Sequence, residues 1–269
     1  MGTPVPSAET STLDHSAGLR VRQRSDGIRV LIFDRPESRN AITDALFTEL
    51  IRQLEFIAAD PEVRAVVVTG ANGTFSAGGD FETIGDLGRA SEQQVAENLA
   101  RTMRAAERLW ALPQPTLAAV DGAAVGAGMA LALACDIRIA SPEAMLLPSF
   151  IRMGLLPDTG ASWLLPRLIG AGPALQMLLA GRPVGAERAH EMGLVAQVTA
   201  DPLRTALELA AILTRQPAAA AATKRLLRAA ADTDLATAID LEAVAQAGAF
   251  HRGEFAAAFD SWRTSRIAD

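Results

Sequence analysis

Ala65-Val66-Val67-Val68-Thr69 runs without a break into Gly70-Ala71-Asn72-Gly73-Thr74-Phe75-Ser76-Ala77-Gly78-Gly79-Asp80. The first five residues read as a buried strand. The glycine-rich loop behind it lies at the carboxyl end of that strand, where open α/β sheets take up ligands. The same plan recurs downstream: a strand at Thr116 to Val120 is followed by Asp121-Gly122-Ala123-Ala124-Val125-Gly126-Ala127-Gly128-Met129, a helix from Gly126 to Ala134 and a strand at Asp136 to Ala140. Strands alternating with helices at these lengths imply βαβ units and a sheet covered by helices, so the fold class is α/β.

Upstream, Leu19, Val21 and Gln23 alternate with Arg20, Arg22 and Arg24, Ser25-Asp26-Gly27 makes a turn, and Ile28 to Phe33 returns as a more apolar strand, which together make a hairpin. Asp34-Arg35-Pro36 stops it. Thr43 or Asp44 then caps a helix carrying Leu46, Leu50, Leu54 and Ile57 on one face, ending before Asp60-Pro61. A further helix is expected from about Ser91 to Leu112. Residues 1–17, rich in Ser, Thr, Pro and Ala, offer too little apolar surface to offset their ordering entropy and are expected to be a disordered tail. Beyond Gly160 helices dominate. The expected organisation is a tail over 1–17, an α/β core over 18–200 and a helical C-terminal region over 201–269.

Composition narrows the function classes. In 269 residues, 25 basic against 31 acidic side chains give a net charge of −6, and no basic run offers the concentrated positive surface that nucleic acid requires. Cys135 is alone and the three histidines are scattered, so no disulfide framework and no metal-ligand spacing is present. No uncharged stretch, the apolar run from Gly122 to Cys135 included, is long enough to span a bilayer, and Met1 to Thr10 lacks the basic-then-apolar plan of a secretory signal. A soluble cytoplasmic protein with no membrane or nucleic-acid partner is expected.

Neither glycine loop fits a nucleotide fingerprint. Gly73 and Gly78 have P-loop spacing, but Gly79 stands where the phosphate-binding lysine is required and Asp80 where the magnesium-binding hydroxyl is required. In the second loop Leu131 replaces the last small residue of the dinucleotide motif. Both loops do offer free backbone N–H donors and close backbone approach, and two such loops face to face supply the donors of an oxyanion hole. Tight turns and helix–sheet packing are the other reading of the same glycines.

The ordered set Phe75-Ser76-Ala77-Gly78-Gly79-Asp80, Gly122-Ala123-Ala124-Val125-Gly126-Ala127-Gly128, Cys135-Asp136 and Gly154-Leu155-Leu156-Pro157-Asp158-Thr159-Gly160 resembles the enoyl-CoA hydratase/isomerase family, the crotonase superfamily. Arg35-Pro36-Glu37 with Asn40-Ala41, and Gly193-Leu194-Val195, fit the same pattern, over about residues 19 to 265. The resemblance implies a crotonase-like spiral of ββα units with a helical C-terminal trimerisation region, assembled as a homotrimer or a dimer of trimers. It implies an acyl-CoA thioester as substrate, with no separate cofactor and no metal. It also implies an oxyanion hole made by the backbone amides of Gly79 and Ala127, and coenzyme A contacts through Arg39, Asn40, Ala41, Ser76 and Ala77.

The hydratases of this family use two glutamates, and at the matching positions this chain has Ala130 and Phe150, which line the acyl site without moving a proton. Asp158 remains in a recognisable motif and matches the acid/base of isomerase-like members. One carboxylate suffices to shift a double bond, and an apolar lining raises its pKa toward the working pH. As Pro-Asp-Thr-Gly is also a strong turn signal, a turn or N-cap role for Asp158 stands beside the catalytic one. Asp80 reads as a buttress of the loop, and Glu82 as either a second acid or an exposed first-turn residue. Cys135 reads as a buried small hydrophobe, His15, His190 and His251 have no nucleophile at a recognisable spacing, and Phe255, Phe259 and Trp262 mark one helix face. The expected activity is an enoyl-CoA isomerase; an enoyl-CoA hydratase with atypical residues and a non-catalytic acyl-CoA binder are the alternatives.

Overall fold

The computed structural model describes residues 9–267. Strands β1 (Thr10–Ser16), β2 (Leu19–Arg24) and β3 (Ile28–Phe33) form an antiparallel meander, with Leu19 opposite Phe33 and Gln23 opposite Arg29 across the expected hairpin. The disordered tail expected over residues 1–17 is corrected from Thr10 onward, and residues 1–8 lie outside the described part. Composition misled because an edge strand draws its order from the backbone ladder to its neighbour rather than from its own apolar side chains.

Helix α1 (Asp44–Ala59) starts at Thr43, whose Oγ1 accepts the Leu46 N–H at 3.2 Å, and buries Leu46, Leu50, Leu54 and Ile57 along one face. Each of these is worth roughly 1.5–3 kcal/mol in apolar burial. Next come β4 (Ala65–Gly70), α2 (Phe81–Leu87), α3 (Glu92–Thr102), α4 (Arg104–Ala111), β5 (Thr116–Val120) and β6 (Ala123–Val125). The helix expected from Ser91 to Leu112 is two helices. A Ser91–Gln94 capping box starts α3, which buries only Thr102, whereas α4 turns Ala105, Ala106 and Leu109 into the core. The chain bends at Met103 between these two environments.

The buried helix α5 (Ala127–Ala134) precedes β7 (Ile137–Ala140) and β8 (Met145–Leu147). Then follow α6 (Ala161–Ile169), α7 (Ala171–Ala180), β9 (Val184–Gly185), α8 (Ala186–Glu191), β10 (Gln197–Val198), α9 (Pro202–Leu213), α10 (Pro217–Ala230), α11 (Leu235–Phe250) and α12 (Gly253–Ile267). Seven strands form one sheet in the order β1-β2-β3-β4-β5-β7-β10, parallel from β3 onward, and β6, β8 and β9 form a small second sheet.

Period-two alternation sorts the main sheet's side chains onto two faces. Leu31, Phe33, Val66, Val68, Ala118 and Val120 join the core beneath α1, α4 and α5. On the other face Ile28, Val30, Val67, Leu117 and Ala119 pack against Ala206, Ala210 and Ala211 of α9. Although α9 opens the 201–269 helical region, it completes the layering of the core. Helix α10 is tied back by Asp136, whose carboxylate meets Lys224 Nζ and an Arg228 nitrogen, each at 2.7 Å, and accepts from Thr116 N–H at 2.8 Å. Among the described residues no helix is long and apolar enough to cross a membrane.

Candidate active site at two glycine loops

Three pieces of backbone converge at the carboxyl ends of β4 and β5. The loop after β4 pairs on one side with the segment before α1: Ile42 N–H donates to Gly78 C=O at 2.7 Å and Asp80 N–H to Ile42 C=O at 3.0 Å, a parallel bridge centred on Gly79. On the other side it pairs with β6, Ser76 N–H donating to Ala123 C=O at 3.0 Å and Val125 N–H to Ser76 C=O at 2.9 Å. In a parallel bridge the central residue turns its own N–H away from the partner. Among the described residues the Gly79 N–H meets no acceptor, nor does that of Ala127, the first residue of α5.

Two glycines make this approach possible. A Cβ on Gly78, which sits at φ +87°, would fall 2.6 Å from the Val125 carbonyl oxygen and 3.7 Å from Ala127 N; one on Gly128 would fall 2.6 Å from Ser76 Cβ. The loops therefore touch backbone to backbone, with Gly79 N–H and the α5 N-terminus both free to meet developing negative charge.

The other expected site residues divide into scaffold and surface. Asn40 is buried; its Nδ2 donates to Ala71 and Thr74 carbonyls at 2.9 and 2.6 Å, and its Oδ1 accepts Arg35 N–H at 2.9 Å. Ser76 is buried too, its Oγ donating to Asn40 C=O at 2.7 Å and accepting Gly78 N–H at 3.1 Å. Both side chains hold the loop in shape, so a coenzyme A contact at these two positions would come from their backbone. Ala77 N–H donates to Arg39 C=O at 2.9 Å, and the Arg39 side chain is exposed beside buried Ala41. Asp80 is the buttress the sequence indicated, capping α2 by accepting from Glu82 and Thr83 N–H while meeting Arg35 at 3.3 Å. Burial alone would raise its pKa, but the bonds from Thr83, Arg35 and Glu82 hold it below the usual value. Glu82 is exposed in the first turn of α2.

Ala130 and Phe150 are both buried, with Phe150 Cε1 3.8 Å from where a Gly126 Cβ would lie, so they form an apolar wall against the second loop. Asp158 follows on the turn into α6. It is half-buried, and that burial raises its pKa, with a 2.9 Å bond from Thr159 Oγ1 pulling the other way. Thr159 adopts φ +50°, a left-handed backbone unusual for a β-branched residue, and Ala161 N–H closes the turn on Asp158 C=O at 2.8 Å.

Two residues are set aside by their surroundings. Burial, and secondarily the charge of Asp136, pushes the Cys135 thiol up to about 12, so it is no nucleophile near neutral pH. His190 Nδ1 lies 2.9 Å from Val195 C=O. Among the described residues no three His, Cys, Asp or Glu side chains are grouped so as to hold a metal ion.

Residues 23–265 match the family model described as enoyl-CoA hydratase/isomerase. A protein of Mycobacterium tuberculosis H37Rv named probable enoyl-CoA hydratase EchA14 is 42% identical over 187 residues, 68% of this chain and 71% of its own length. The 1,2-epoxyphenylacetyl-CoA isomerase of Escherichia coli K12 is 36% identical over 227 residues, 80% of this chain and 84% of its own. The crystal structure of an enoyl-CoA hydratase from Polaromonas sp. JS666 superposes with a TM-score of 0.84 at 32% identity, covering 90% of this chain and 96% of that one.

Proposed function

The chain belongs to the enoyl-CoA hydratase/isomerase family, and on that premise we propose that it shifts the double bond of an enoyl-CoA thioester with Asp158 as its single proton carrier. The observation that carries this reading is the pairing of a half-buried Asp158, its pKa raised, with Ala130 and Phe150 at the positions of the hydratase glutamates.

The thioester oxygen accepts from Gly79 N–H and Ala127 N–H. Removal of a proton from C2 of a 3-enoyl thioester sends the electron pair toward that oxygen, and each donor aimed at it stabilises the dienolate by roughly 3 kcal/mol. The ionised Asp158 takes the C2 proton and returns it at C4, leaving the 2-enoyl product; positioned proton transfer of this kind contributes about 10²–10⁴-fold. Proton balance closes on one carboxyl group, so the step draws on no cofactor beyond the thioester's own coenzyme A. The same reading places a second copy of the chain over the exposed Phe255, Phe259 and Trp262, in a closed trimer or dimer of trimers, which sedimentation measures.

The test supplies 3-enoyl-CoA and 2-enoyl-CoA in heavy water to the native protein and to Asp158→Asn. Conversion of the 3-enoyl substrate by the native protein, lost in a variant that still binds the thioester, supports the isomerase. Hydration of the 2-enoyl substrate unaffected by Asp158→Asn overturns it in favour of a hydratase with another residue set. Tight binding without turnover or C2 exchange overturns it in favour of a binding protein.

A further inference from the structure

A cleft of about 290 Å³ opens between α4 and α6, lined by Met103, Ala106, Trp110, Trp163, Leu164 and Gly160, with Glu107 its charged residue. It adjoins the turn that carries Asp158. Gly160 stands two residues beyond the carboxyl group, and the 2.8 Å bond from Ala161 N–H to Asp158 C=O makes turn and cleft wall one unit. A Cβ on Gly160 would lie 3.4 Å from Leu164 Cδ1 and 4.0 Å from Ala106 Cβ, between the two helices.

The aromatic walls are held from outside. Trp110 and Trp163 meet edge to face, with ring centroids 5.2 Å apart at 87°. The Arg167 guanidinium lies 3.8 Å from the Trp163 ring centroid and that of Arg228 4.0 Å from the Trp110 centroid, so each indole has a cation stacked on it. Arg228 is itself anchored on Asp136 at 2.7 Å. A cleft with walls fixed in this way is preformed, and its volume of about 290 Å³ falls just under the range of about 300–1,000 Å³ that encloses a whole small ligand. It has room for one arm of a substrate.

We propose that this cleft receives the far end of the acyl group, and that the substrate class is enoyl thioesters whose chain is long enough to reach into it, in preference to four-carbon ones. The inference rests on the thioester-site reading given above.

Saturated thioesters separate this question from catalysis, because they bind without isomerising. Titration calorimetry with coenzyme A, butyryl-CoA and octanoyl-CoA is expected to give octanoyl-CoA at least tenfold tighter binding than butyryl-CoA. Met103→Trp, which fills the cleft, is expected to bring the two within about twofold. Trp163→Ala, which widens it, is expected to move the preference toward dodecanoyl-CoA. Equal affinity for both chains in the native protein, or an octanoyl preference unchanged in both variants, overturns the proposal while leaving the thioester site standing. Failure of coenzyme A and both thioesters to bind removes the thioester reading, and this inference with it.

Discussion

Thr159 donates its hydroxyl to the carboxylate of Asp158 at 2.9 Å from a backbone held at φ +50°. A β-branched residue keeps such a conformation only when its surroundings over-determine it, and here the buried Thr159 side chain and the closed turn do so. The bond favours the ionised form of a carboxyl group whose burial favours the neutral one. Thr159→Val keeps the shape and removes the donor. The acid limb of the isomerisation rate against pH should move up by about one unit, since a hydrogen bond to a charged group is worth about 1.5–3 kcal/mol and one unit corresponds to 1.36. An unmoved limb would show that Thr159 does not tune Asp158.

Asp158 also links stability to pH with a definite sign. Its pKa in the folded protein lies above its ordinary value of 3.8, so between those two values the folded state holds more protons than the unfolded one and stability falls as pH rises. Asp158→Asn should therefore be the more stable protein at neutral pH, with a gap that opens above pH 3.8 and levels off above the raised pKa. Melting at a series of pH values reads this directly, each kcal/mol moving the midpoint by about 2–4 °C in a chain of this size. A gap that is constant from pH 3 to 8 would contradict the assignment.

Loop contact at Ser76 leaves no room for a side chain on Gly128. An alanine there would bring Cβ to 2.6 Å from Ser76 Cβ and 3.1 Å from its carbonyl oxygen. Gly128→Ala should cost about 1–3 kcal/mol in denaturant unfolding, as overpacking does. It should also lower kcat by more than the roughly 10²-fold that follows loss of one oxyanion donor. A folded variant with kcat within twofold of native would show that the spacing of the loops is not what orients their amides.

Asp136 joins β5, β7 and α10 through one carboxylate. Asp136→Ala leaves Lys224, itself buried, and Arg228 without their shared anion, and removing one member of a buried ion pair costs about 3–5 kcal/mol. The same variant removes the carboxylate anchor of the guanidinium stacked on Trp110, leaving it held by the Trp110 carbonyl, so tryptophan fluorescence should change alongside the unfolding midpoint. Unchanged emission would separate the anchor from the cleft.

What was legible in the sequence follows from where the physics is local. The alternation of β2, the apolar runs of β3 and β4 and the Leu46-Leu50-Leu54-Ile57 face of α1 could be read because burial dictates residue type at each position. The two glycine loops were legible as backbone-driven features, and Asp80 as their buttress. The loop-holding bonds of the Asn40 and Ser76 side chains were not legible, because their carbonyl partners lie 31 to 36 residues away. The bend at Met103 and the meeting of Trp110 with Trp163 depend on how α3, α4 and α6 pack, which no local pattern encodes.

The outer strand β1 bears on how the protein behaves at high concentration. An edge strand leaves a row of unpaired backbone groups that invites pairing with other molecules. Here that row is carried mostly by Thr, Ser, Asp and His side chains, and its register against β2 slips between Thr12 and Asp14. Such an irregularity bends the strand and spoils the straight template that another chain needs. At the opposite border β10 spans only Gln197–Val198. Both borders of the main sheet thus carry features that oppose lateral growth into fibrils.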